Sequence, residues 1–161
     1  MSKIKNQTIF KLILSFSIFA LIAAYFIQYA LGHQPCNLCL IERIPYFFSI
    51  IVILTVLFTK KFEKYSLIIL SLIFFSATLI AFYHFGIEQG FINESLVCDL
   101  NIENNNLSKK DLLNQLKEIP LSCKNVTFRI FGLSLATFNI LISLILSVIT
   151  MKLFLTYEKN R

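Results

Sequence analysis

The chain has 161 residues, 57% of them hydrophobic and only 15% charged, with a mean hydropathy of +0.73. Soluble domains carry roughly 25% charged residues, and a domain of this length has too little interior to hide so much apolar surface, so a water-soluble globular fold is excluded. The net charge of +6 does not indicate a nucleic-acid binder, because the basic residues sit at segment ends and in loops without forming a basic stripe.

A bilayer core of ~30 Å needs about 20 apolar residues of helix. Residues 12–31 form the first such run, and it carries no charge. Ala30-Leu31-Gly32 has the small-x-small form of a signal cleavage site, but the run exceeds the 7–15-residue core of a signal peptide, so it is read as a span. The second span covers residues 40–59 and has Pro45 near its start, where a missing N–H is tolerated. The third covers 65–85 and the fourth 130–151, leaving loops at 32–39 and 86–129. The pattern predicts a single all-α membrane domain over 1–161, a four-transmembrane-helix bundle.

Charge gives the expected orientation. The N-terminus, the loop at 60–64 and the tail from Lys152 carry nine Lys and Arg against two acids. Residues 32–43 and 86–129 carry six against seven. Positive-inside reasoning puts the first set, with both termini, in the cytoplasm and the second set outside.

All four cysteines fall on that outer side. Cys36 and Cys39 form a CxxC at the entrance of the second span, while Cys98 and Cys123 lie in the long loop. Closing residues 98–123 as a structural staple would stabilise the loop by ~3–4 kcal/mol. The same argument fails for the CxxC, which closes almost no loop and is better explained as a redox or metal pair. The N-terminal end of a span stabilises a thiolate, and Arg43, one turn after Cys39, adds a fixed positive charge. A zinc site is the competing reading, but there is one CxxC rather than two, and His33 and His84 lack finger spacing.

The loop at 86–129 is longer than an idle connection. Ser108-Lys109-Lys110-Asp111 reads as a capping box opening a short interfacial helix, with Leu112, Leu113, Leu116 and Ile119 on one side and Pro120 at its end. At the second-span entrance, Tyr46, Phe47 and Phe48 are either site-lining residues or interfacial anchors. Asn139 and Thr137 are neutral polar residues of the kind that join helices.

Three stretches carry a resemblance. Gln34-Pro35-Cys36-Asn37-Leu38-Cys39-Leu40-Ile41-Glu42-Arg43-Ile44-Pro45-Tyr46, Tyr83-His84-Phe85-Gly86-Ile87-Glu88 followed by Cys98, and Gly132-Leu133-Ser134-Leu135-Ala136 with Asn139 together resemble the bacterial DsbB family of disulfide-generating membrane proteins, including its DsbI-like branch. The resemblance implies a multi-pass protein of the bacterial inner membrane with its cysteine loops in the periplasm. It would reoxidise a thioredoxin-fold thiol oxidase (DsbA/DsbL-like) and pass electrons to a quinone, ubiquinone or menaquinone. It implies redox disulfides Cys98–Cys123, which exchanges with the partner, and Cys36–Cys39, which reduces quinone; the helix end and Arg43 beside Cys39 make that sulfur the expected donor. Arg43 matches the arginine beside the quinone head, and His84 matches a histidine near the third-span exit. Glu42 matches too, though a headgroup or Arg43 partner is its plainer role. Relatives of vitamin K epoxide reductase also couple dithiols to quinones, but they carry the CxxC late and the loop pair early, the reverse of the order here. A cysteine-based metal or redox sensor and a small transporter are the remaining alternatives. The transporter lacks the ionisable midplane residues it would need.

Overall fold

The computed structural model describes residues 2–59, 62–93, 123, 129–130 and 133–159. Among these, four helical stretches are long and apolar enough to cross a membrane: Gln7–Tyr29, Asn37–Thr59, Glu63–Glu88 and Leu135–Tyr157. The fold is the expected all-α membrane bundle. The predicted interfacial helix, and Cys98, lie outside the described residues.

The first span belongs to α1 (Ser2–Tyr29). The second is broken into α2 (Asn37–Ile41) and α3 (Ile44–Thr59). Pro45 explains the break, because it cannot donate to the carbonyl of Ile41 and its ring crowds that turn. The chain bridges the gap with a tighter bond, from the N–H of Arg43 to the carbonyl of Leu40 at 3.1 Å.

The third span, α4 (Glu63–Glu88), runs past the apolar limit at Phe85. It stops where Gly90 takes φ +76°, and the N–H groups of Phe91 and Ile92 close onto the carbonyl of Gly86. The fourth begins five residues later than hydropathy alone indicates. Arg129–Ile130 (β1) and Leu133–Ser134 (β2) pair antiparallel as a small hairpin, with Arg129 opposite Ser134. The Ser134 hydroxyl then accepts the N–H of Thr137 and caps α5 (Leu135–Lys159). A short apolar run does not by itself distinguish strand from helix.

α4 packs along α5, and α3 sits between α1 and α4, while α1 and α5 scarcely touch. Phe10, Ile13, Leu21, Tyr46, Ile53, Val56, Leu67, Leu70 and Phe74 form the buried core. Lipid provides no hydrophobic drive for helix association, so close packing and hydrogen bonds hold the bundle. Ser17 and Ser49 meet at 3.1 Å between α1 and α3. Ser71 and Ser147 exchange hydroxyl-to-carbonyl bonds between α4 and α5. Outward, Phe19, Ile22, Phe26, Phe58, Leu72, Phe82 and Ile145 are exposed, as a lipid-facing surface requires.

Candidate active site: a dithiol at the mouth of the bundle

The gap between α1 and α5 holds a cavity of about 380 Å³. On α1, Phe16, Ala20, Ala23, Ala24 and Ile27 line it at helical spacing, and the small alanines keep it open. Leu135, Ala136, Asn139 and Ile142 line it from α5. Cys36, Cys39, Glu42, Arg43, His84, Glu88 and Cys123 gather on the remaining wall.

The CxxC lies at the turn into α2. Cys36 is the N-cap, and its sulfur accepts the backbone N–H of Cys39 at 3.3 Å. The two Sγ atoms are 2.8 Å apart, and both cysteines are free. The hydrogen bond from the Cys39 thiol pulls the Cys36 thiol down from 9.0 to about 4, against the opposing effect of burial and with further help from His84. His84 brings its Nε2 to 3.5 Å from the Cys36 sulfur. A thiolate favoured in this way is the nucleophilic form of cysteine and makes the matching disulfide a stronger oxidant.

A polar chain leads away from the sulfur. His84 Nδ1 donates to Glu42 Oε1 at 2.7 Å, and Glu42 Oε2 accepts Asn139 Nδ2 at 2.8 Å. Tyr46 donates its hydroxyl to Asn139 Oδ1 at 2.6 Å. The chain links α2, α3, α4 and α5 at one end of the bundle. Glu88, one turn beyond His84, brings Oε1 to 3.7 Å from His84 Nε2.

Arg43 lines the same cavity, but the break before α3 turns its guanidinium toward α1. It donates to Gln28 Oε1 at 2.7 Å and lies 4.9 Å from the centroid of the Tyr25 ring. The basic side chain in contact with the dithiol is thus His84 rather than Arg43. Glu42 spends its two oxygens on His84 and Asn139 instead of pairing with Arg43. Tyr46 is buried and lines the cavity, whereas Phe47 and Phe48 face outward as anchors would.

Cys123 is disulfide-bonded and buried, and it packs with Cys36, Leu38 and Ile87. A four-thiolate zinc site is therefore unavailable. Cys36, Cys39 and His84 do offer three donor atoms within 4.8 Å of one another. However, two thiolates on one tetrahedral zinc stand ~3.8 Å apart, given bonds of about 2.3 Å. The 2.8 Å between Cys36 and Cys39 falls well short of that separation.

Sequence reasoning did not single out Glu88, Gln28 or the Glu42–Asn139–Tyr46 chain as site residues. The i,i+4 spacing of His84 and Glu88 was the one available signal.

A bundle of four helices able to span a membrane, with a dithiol opening onto a largely apolar slot, defines a membrane thiol-redox protein. A family profile described as disulfide bond formation protein DsbB matches residues 6–153, and the chain belongs to the DsbB family. It is also 31% identical over 150 residues, 92% of this chain and 87% of the relative, to the uncharacterized protein RP370 of Rickettsia prowazekii (strain Madrid E). No solved structure matches it.

Proposed function

We propose that this protein is a thiol:quinone oxidoreductase of the bacterial inner membrane. It reoxidises a periplasmic thioredoxin-fold thiol oxidase of the DsbA/DsbL type and passes the electrons to membrane quinone. The observation that carries this reading is one largely apolar cavity shared by the Cys36–Cys39 dithiol, with Cys36 held toward the thiolate, and a disulfide-bonded cysteine. The excess of nine basic residues over two acids on the opposite side supports cytoplasmic termini and periplasmic cysteines.

The slot suits a quinone substrate. Aliphatic and aromatic side chains from α1 and α5 would take the ring and tail, and Arg43, with the sulfurs, forms the polar end. In the cycle, a partner thiolate attacks Cys98 and opens its disulfide with Cys123. The released Cys123 attacks Cys36, opening Cys36–Cys39. The partner's second thiolate then attacks its own mixed disulfide, leaving as oxidised partner and freeing Cys98. Cys98 in turn attacks Cys123, restoring Cys98–Cys123 and leaving Cys36 and Cys39 reduced. These last two close to a disulfide as two electrons pass to the quinone. Each exchange needs a thiolate and an accessible sulfur. In sum, the partner dithiol loses two electrons and two protons, and the quinone gains both.

Purified protein supplied with a reduced thioredoxin-fold oxidase and a soluble quinone tests the reading through quinone absorbance. Wild type should bleach the quinone catalytically and Cys39→Ser should not. Equal rates in the two, or no reduction by wild type, would overturn it.

A further inference from the structure

The reduced dithiol and the quinone do not match in protons. With Cys36 as thiolate and Cys39 as thiol, the pair holds one proton, but a hydroquinone needs two. The partner supplied the missing proton when its thiols were oxidised, and that proton was released to water. It has to return to the cavity.

Two carboxylates flank His84, and they differ. Glu42 has both oxygens engaged, one by His84 Nδ1 and the other by Asn139 Nδ2, so it is fixed in place. Glu88 faces the other ring nitrogen, with Oε1 at 3.7 Å from Nε2. Its side chain is only 5% exposed, and Oε2 is buried with no hydrogen-bond partner. An unpartnered buried carboxylate oxygen is costly to keep without a use. Glu88 also lines the cavity at the end of α4, and the residues that follow it, Gln89, Gly90 and Phe91, are exposed.

We propose that Glu88 carries a proton from the aqueous face to His84 during quinone reduction, an inference that rests on the thiol:quinone reading above. In the relay His84 starts doubly protonated, with Nε2 beside the Cys36 thiolate and Nδ1 on the Glu42 carboxylate. When the Cys36–Cys39 bond forms and two electrons leave, the negative charge beside Nε2 disappears. His84 then releases the Nε2 proton to the reduced acceptor, and the Cys39 thiol gives up the second. Glu88 reprotonates Nε2 and takes a replacement proton from water. The charged or titratable groups around Glu88 are His84 on its own helix, and Glu42 and Cys36 at the two caps of α2, while Ser134, just before α5, hydrogen-bonds to it. His33, Arg43 and the disulfide of Cys123 share the cavity.

The test compares wild type, Glu88→Gln and Glu88→Asp in two assays. The first is quinone reduction against pH, in ordinary and heavy water. The second is quinone-free transfer of one disulfide to the reduced partner, read by thiol alkylation. Glu88→Gln should slow quinone reduction by about tenfold to a hundredfold. The loss should deepen as pH rises and the solvent isotope effect should grow, while Glu88→Asp recovers most of the rate. Disulfide transfer should stay within about twofold of wild type in both variants. Wild-type rates and isotope effects in Glu88→Gln would overturn the relay, and so would an equal loss in both assays, which marks a structural role. If wild type transfers its disulfide but never reduces quinone, the reading beneath fails and the relay with it.

Discussion

Polar contacts cross between the described helices both at mid-depth and at the dithiol end of the bundle, and the two places differ. At mid-depth, Ser17 meets Ser49, and Ser71 and Ser147 bond each other's carbonyls. Every partner there is neutral and short. Such bonds join helices in lipid for about 0.6 kcal/mol each. At the dithiol end the chain Tyr46–Asn139–Glu42–His84–Cys36 is built of long or ionisable groups and finishes on the Cys36 sulfur. Ionisable groups in a membrane are costly and are kept for what they do. The contrast separates contacts that assemble the protein from contacts that serve its chemistry, and substitutions can break it on either side.

The largest effect should follow loss of either sulfur of the CxxC. Cys36→Ser and Cys39→Ser should each lower quinone-linked turnover on the order of a thousandfold or more, with helicity by circular dichroism unchanged. His84→Ala comes next. The Cys36 thiol is held at about 4, below its ordinary 9.0, so the thiolate is present above that value and is lost only as pH falls through it. Reduced wild type should therefore alkylate at Cys36 nearly as fast at pH 6 as at pH 8. Without the imidazole the midpoint rises, so the rate at pH 6 should fall by about tenfold for each unit of rise. A profile unchanged in His84→Ala would show that Cys39 alone sets the thiolate.

A smaller effect is expected at Asn139, which touches neither sulfur. Asn139→Leu removes the donor that holds Glu42 and should lower turnover by about three- to tenfold, equivalent to about 0.7–1.4 kcal/mol. The alkylation profile of Cys36 would shift with it if the chain acts through His84. The smallest effect is at mid-depth. Ser147→Ala should cost about 0.6 kcal/mol in unfolding from detergent micelles and leave turnover untouched. A catalytic defect there would erase the distinction between the two regions.

The four spans were legible because lipid demands long apolar helices, and the cysteines because a CxxC makes a poor staple. Helix ends were less so. The start of α5 depends on the hairpin that pairs Arg129 with Ser134 and on the Ser134 cap, and an apolar count sees neither. Arg43 was read as a neighbour of Cys39 on one continuous helix, but Pro45 breaks that helix and sends the guanidinium to Gln28. Asn139 was recognised as a helix-joining residue, yet its partners, Glu42 and Tyr46, lie roughly a hundred residues away in sequence and meet it only through packing. Glu88 was passed over as the tail of a motif because its meaning lies in the oxygen left without a partner.

The central claim is that electrons cross from the loop cysteines to the CxxC inside one cavity. It is tested most directly by leaving only Cys36 and Cys123 in the chain, as Cys39→Ala with Cys98→Ala, and mapping disulfides by mass spectrometry after mild oxidation of native membranes. The account predicts a Cys36–Cys123 crosslink in most molecules. Two thiols that stay free, with the protein intact and membrane-inserted, would contradict it.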